Sequence, residues 1–277
     1  MNLSFAALLI SAVSLFAVAD ALEWNLYRSY SATEYAKTLN MTDNKFRLTY
    51  ISAYANAEGE ARYNAIFEKP EYTPAWRTNY GYNGNELNNT FNDLKNKGFR
   101  PVLVEGYNIN GERHYTSLWE NNTESIEWAE RRDMSGKEFN TWVKEHKKKG
   151  FRLRHLSGYE YNNEQQFTGV FEKRDSAPWK AYVGLSPWEY RIKSYAAKRS
   201  GYYPVQISPY TACGKVWFAA IFEKLGNKKD TPVTVFGLDS SRYKMESDVW
   251  ESRGYKPTMV DGYLDNGEKF AAIFNKV

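Results

Sequence analysis

Four groups of residues in this 277-residue chain have types and spacings that could do chemistry. Ser241-Arg242-Tyr243-Lys244 has the Ser-x-x-Lys spacing in which a lysine amine serves a serine nucleophile. Cys213 is the single cysteine, and as a nucleophile it would need His114, His146 or His155 as its base. Glu68, Glu120, Glu172 and Glu223 recur at regular intervals, and paired carboxyls can perform acid and base work. The 9 Trp and 22 Tyr could stack on sugar rings or on proline-rich peptides.

The surroundings of each group favour a plainer use. No Lys-Thr-Gly element follows Lys244, and Tyr243 takes a helix position held earlier in the chain by Phe139 and Tyr190. Cys213 sits in a tight turn, where exposure rather than a dry pocket is expected, and every histidine belongs to another segment. The glutamates lie beside Lys69, Lys173 and Lys224, which suits pairing between segments, whereas a glycosidase needs one carboxyl pair. Acidic residues never take metal-ligand spacing and no helix carries two histidines. No catalytic residue, metal or cofactor is therefore assigned, and the chain is not expected to be an enzyme.

A repeat supplies the elements that position these residues. An aromatic stands at Phe46, Phe99, Phe151, Tyr202 and Tyr255, preceded in the last four cases by Gly98, Gly150, Gly201 and Gly254. Eight residues on comes Tyr54, Tyr107, Tyr159, Tyr210 or Tyr263. Each copy closes on a similar string, such as Ala65-Ile66-Phe67-Glu68-Lys69 or Ala220-Ile221-Phe222-Glu223-Lys224. Apolar residues at helical spacing precede each glycine (Leu87, Phe91 and Leu94 in copy two), opened by N-cap residues Asn83, Ser135, Ser186 and Asp239. After the glycine two strands flank Asn110-Gly111, Asn162-Asn163, Cys213-Gly214 or Asn266-Gly267, pairs suited to tight hairpins. A short strand marked by Trp24, Trp76, Trp128, Trp179 or Val233 to Phe236 precedes each helix.

The reading is an α+β fold of five tandem β-α-β-β repeats, covering approximately residues 22–70, 71–123, 124–175, 176–226 and 227–277. One unit cannot bury both faces of its sheet, so the copies must stack, as a solenoid-like arc or a closed ring. Helices are expected on one side and mostly antiparallel strands on the other.

Gly98-Phe99-Arg100-Pro101-Val102-Leu103-Val104-Glu105-Gly106-Tyr107, with Asn110-Gly111 and Trp119-Glu120 after it, resembles the bacterial tandem repeat domain. Gly254 to Tyr263, with Asn266-Gly267 and Ala271-Ala272-Ile273-Phe274, resembles it equally. That repeat also forms the N-terminal domain of the fungal polyglycine hydrolases, ahead of a β-lactamase-like catalytic domain. The resemblance implies a secreted repeat fold and carries over no functional residues. Copy one departs most, with Lys45 in the glycine position, and with the repeats running to Val277 no catalytic domain is expected here.

Leu3 to Val18 is apolar or small throughout and leads to Ala17-Val18-Ala19 and Ala19-Asp20-Ala21, so residues 1–21 are expected to be a signal peptide. The protein is then secreted and extracellular, and no membrane partner is expected after cleavage. A charge of +4 without a dense basic cluster gives no reason to expect nucleic acid. Asn40, Asn88 and Asn121 open Asn-x-Thr sequons and are candidate N-glycosylation sites. An exposed Cys213 thiol could join two chains in a disulfide dimer.

Recognition is expected where the copies differ inside a constant frame. One strand position holds Tyr50, Leu103, His155, Gln206 and Met259, and alternation turns it away from the apolar residue beside it. These five are the candidate ligand surface. The expectation is a non-catalytic binding protein for an extracellular glycan or protein. The alternatives are a structural component of an extracellular matrix or secretion and, more weakly, a serine hydrolase-associated module.

Overall fold

A computed structural model describes residues 24–41, 46–69, 74–226 and 231–277. The expected signal peptide and Lys45 lie outside them. Repeat 1 comprises β1 (Trp24–Tyr30), α1 (Ala32–Met41), β2 (Arg47–Ala55) and β3 (Ala61–Glu68). Repeat 2 comprises β4 (Trp76–Tyr82), α2 (Gly84–Asn96), β5 (Phe99–Ile109) and β6 (Glu112–Asn121). Repeat 3 runs through β7 (Trp128–Met134), α3 (Gly136–Lys148), β8 (Arg152–Tyr161) and β9 (Glu164–Glu172). Repeat 4 holds β10 (Trp179–Leu185), α4 (Pro187–Arg199), β11 (Tyr202–Ala212) and β12 (Lys215–Lys224). Repeat 5 ends the chain with β13 (Val233–Leu238), α5 (Ser240–Ser252), β14 (Tyr255–Leu264) and β15 (Glu268–Lys276).

Every repeat folds into its own three-stranded antiparallel sheet in the order first, third, second strand, as in β1-β3-β2. The helix crosses from the first strand to the second, and the returning hairpin strand fills the gap between them. Side chains predicted to start the helices do so: Asn83, Ser135 and Ser186 each complete a capping box with a glutamate three residues on, and Asp239 accepts from Arg242 N. The glycine after each of α2 to α5 has positive φ, between 75° and 83°. Hairpin residues Asn110, Asn162, Asn163, Cys213 and Asn266 also have positive φ, as the tight turns require.

The second strands β2, β5, β8, β11 and β14 stand next to one another in a cycle, with β14 returning to β2. The five repeats therefore form a closed ring, although among the described residues no backbone pairing joins one sheet to the next. Three sets of contacts recur around it. The hairpin tyrosine of one repeat packs on an aromatic of the preceding one, in the pairs Tyr107–Tyr63, Tyr210–Phe167, Tyr263–Phe218 and, across the closure, Tyr54–Phe270. A cation at the start of an inner strand meets a glutamate of the following repeat: Arg47–Glu120, Arg100–Glu172, Arg152–Glu223 and Lys256–Glu68. The recurring glutamates thus pair between repeats, as their spacing suggested. Between repeats 4 and 5 both positions are neutral, Tyr203 and Asn275, so the pair is lost on both sides together.

In the third set, polar side chains of one inner strand bond the backbone of the strand before it. The Gln206 amide donates to Leu156 O at 2.8 Å and accepts from Leu156 N at 3.1 Å. Ser157 Oγ accepts from Gly106 N, Ser208 Oγ accepts from Gly158 N, and Ser52 Oγ donates to Val260 O at 2.7 Å. Glycine is required at three of the places where the tyrosines cross. A Cβ on Gly106, Gly158 or Gly262 would overlap the ring of Tyr159, Tyr210 or Tyr54 respectively.

Gly262→Ala should therefore destabilise by about 1–3 kcal/mol through overpacking, read as a fall in Tm of about 2–4 °C per kcal/mol. Gly84→Ala is the comparison, since its Cβ would meet nothing and its φ is ordinary. Equal Tm values for the two variants would contradict the ring closure.

Candidate functional site

On the ring axis the inner strands stack their side chains in layers. The layer next to the bulge in each strand holds Tyr50, Leu103, His155, Gln206 and Met259, the residues expected to form a ligand surface. The structure corrects that expectation. All five are buried, at 6% exposure or less, because the alternate face of an inner strand looks into the ring instead of towards solvent.

The next layer holds Ser52, Glu105, Ser157, Ser208 and Asp261. Three repeats carry serine there, and repeats 2 and 5 carry carboxyls. Above it stand small residues (Ala53, Gly106, Gly158, Pro209 and Gly262), then the five hairpin tyrosines. These upper layers enclose a funnel of about 370 Å³ to which every repeat contributes, with Glu105 and Asp261 at its buried end. Asn108, Asn110, Glu160 and Thr211 stand among its outer lining.

The two carboxyls are tied to each other and to the layer beneath. Tyr50 Oη lies 3.2 Å from Asp261 Oδ1 and 3.5 Å from Glu105 Oε1. His155 Nε2 lies 2.8 Å from Glu105 Oε1. Burial raises Glu105 to about 8, tempered by hydrogen bonds from Ser157 and Tyr50. Asp261 is pushed well above the usual carboxylate range by burial first and by Glu105 second. Burial lowers His155 to about 3, with Arg154 adding to the effect. A neutral imidazole therefore faces a carboxyl pair that retains at least one proton at neutral pH. Among the described residues no group of three Asp, Glu, His or Cys could hold a metal ion.

The remaining candidates lie elsewhere. Ser241 and Lys244 open α5 on its exposed face, and Lys244 Nζ is engaged by Asp248 at 2.8 Å rather than by Ser241. Cys213 is exposed at its hairpin, its thiol 3.1 Å from Asn163 O. His114 stacks on Tyr107, and His146 packs on Phe171 while bonding Trp142 O. Asn40 and Asn88 are exposed on helices, with Asn88 accepting from Arg132; Asn121 is half-buried at the end of β6. Glu105 and Asp261 were missed in the sequence. The available sign was an acid in mid-strand, Val104-Glu105-Gly106 and Val260-Asp261-Gly262, aligned with serine in the other copies.

A family model described as polyglycine hydrolase-like, structural repeat, matches residues 21–70, 73–122, 125–174, 176–225 and 229–277. The chain belongs to this structural repeat family. Its five matches fall on the five sheet-and-helix units, and the funnel is formed by structural repeats alone.

The raised Glu105 gives stability a definite pH dependence. The folded state keeps a proton that the unfolded chain releases near the ordinary glutamate value, so this contribution falls as pH rises towards about 8. Glu130, raised by burial to about 7, acts in the same direction. Glu105→Gln should flatten the decline and exceed the unsubstituted protein in Tm on the alkaline side. Parallel Tm curves for the two proteins would contradict the assignment.

Proposed function

We propose that this protein is a secreted, non-catalytic binding protein whose axial funnel receives part of an extracellular glycan. The observation carrying this reading is the funnel itself. It is about 370 Å³, inside the range of small-molecule sites, and is assembled from the same position of all five repeats. A mostly buried wall with a few polar groups at its floor and mouth is how such sites fix a ligand's orientation. The secreted state follows from the leader expected at residues 1–21. The non-catalytic reading rests on the engagement of Lys244 by Asp248 and on the exposed, turn-bound position of Cys213.

A second reading, a structural component of an extracellular matrix or secretion, draws on different residues. Trp188, Ile192 and Tyr195 on α4 and Met245 and Val249 on α5 are exposed, as is the Cys213 thiol. Self-association through these side chains is what that role would use.

A glycan array probed with the purified protein, alongside light scattering, separates the two. The binding reading expects a saturable hit by a monomer, lost when Ala55→Trp fills the funnel mouth. Absence of any hit together with concentration-dependent assembly would replace it with the matrix reading, and Cys213→Ser would then test whether a disulfide contributes.

A further inference from the structure

A second cleft lies outside the funnel, between α4 of repeat 4 and β13 of repeat 5, with a volume of about 210 Å³. Arg191, Ser194, Tyr195 and Lys198 form one wall, and Thr234 and Phe236 form the other. Its cause is visible in the repeat pattern. Eight residues after the N-cap, repeats 1 to 3 carry Leu39, Phe91 and Val143, which pack against the core, whereas repeat 4 carries Ser194. One turn further on, Lys95 and Lys147 lie over Trp128 and Trp179 of the next repeat, but Lys198 has Pro232 at the corresponding place. An apolar filler and an aromatic platform are thus both missing at this junction.

The space is lined with unmet polar groups. Tyr190 is 1% exposed, and its hydroxyl, like those of Ser194 and Thr234, is buried without a hydrogen bond. Ser194 stands beside the Tyr190 hydroxyl, so the group that Tyr190 faces belongs to the same cleft. Buried hydroxyls left open in this way cost stability. Among the described residues Arg191, Lys198 and Arg199 form no ion pair, and the one acid of α4, Glu189, is engaged by the Ser186 cap. Repeat 5 shows what the serine takes when a partner is present. Ser247, at the same helix position, donates to the Glu251 carboxylate at 2.7 Å, and Glu251 stands where repeat 4 has Lys198. Tyr195 and Trp188, two turns before it on α4, are 67% and 70% exposed and about 10 Å apart along the axis. The other four repeats have polar residues at both positions, such as Ser241 and Asp248 in repeat 5.

We propose that the cleft between α4 and β13 binds the carboxylate of an acidic sugar, with neighbouring sugar rings lying on Tyr195 and Trp188. The carboxylate accepts from Ser194 as Glu251 accepts from Ser247, and Arg191 and Lys198 supply the counter-charge. Charge and hydroxyls alone would suit an acidic peptide equally well. The two exposed aromatic faces, found in this repeat only, favour a glycan. The site is separate from the funnel and does not depend on the funnel being occupied.

Titration calorimetry on the purified protein with an oligogalacturonate, its methyl ester and polyglutamate tests this. The acid should bind at least about tenfold tighter than the ester, which lacks only the charge. Ser194→Leu, which restores the filler of repeat 1, should abolish binding with every surface charge in place and Tm unchanged or higher. Lys198→Glu gives Ser194 the partner that Ser247 has; it should abolish binding too, and it serves if the leucine variant fails to fold. Ala55→Trp, which blocks the funnel, should leave the affinity unchanged. Binding retained in Ser194→Leu, binding lost in Ala55→Trp, or equal binding of acid and ester would overturn the proposal. Tighter binding of polyglutamate would transfer the cleft to an acidic protein and equally overturn it. Absence of uronate binding would overturn it while leaving the funnel reading untouched, and assembly that Trp188→Ala abolishes would then give this face to a second copy.

Discussion

Each repeat leaves the second strand of its sheet with one unpaired backbone edge, and that edge faces the ring's interior. Buried N–H and C=O groups without partners are costly, and bare strand edges invite wrong pairings. Here side chains of the following repeat supply partners. Gln206 offers an amide to Leu156 much as another strand would, while Ser52, Ser157 and Ser208 bond single backbone groups. Close approach of neighbouring strands follows from these short side chains, and with it the need for Gly106, Gly158 and Gly262 beneath the tyrosine rings. At the edges of repeats 2, 3 and 5 the ring thus satisfies exposed backbone groups without merging neighbouring sheets.

The same layer explains where polarity collects. Repeats 2 and 5 replace the serine with Glu105 and Asp261, whose longer, ionisable groups turn towards each other through Tyr50. Two carboxyls in a dry interior are poor structural choices when serine performs the same task in three neighbours. Their retention at the floor of a cavity is what separates this axis from a plain core. Asp133 shows a parallel exception at the rim. It adopts a φ of 58° where repeats 2, 4 and 5 use Gly81, Gly184 and Gly237 and repeat 1 uses Ser29, and its carboxylate accepts hydrogen bonds from Tyr115 and Tyr159.

Sequence periodicity carried the fold well. The steps from Phe46 to Tyr255, the N-caps and the Asn-Gly turns fixed element order because each has a local physical cause. Inter-repeat pairing of the glutamates was legible for the same reason, since a charge repeated at a strand end needs a repeated partner. The site was not legible. Alternation correctly put Tyr50 and His155 on the face opposite Ile51 and Leu156, but a strand with two covered faces has no solvent side, and only closure of the ring reveals that. Contacts such as Tyr50 with Asp261 span 211 residues and leave no local pattern.

An open array of repeats has ends, and it normally protects them with atypical caps and frays there first. This chain needs none: its first and last units are interior units, joined through Lys256 with Glu68 and Ser52 with Val260. Four junctions are covalent and one is not, yet all five present comparable surfaces. The order of the repeats in the polypeptide is accordingly one of five linear readings of the same circle, and relocating the chain ends to another connector would preserve every contact that defines the axis.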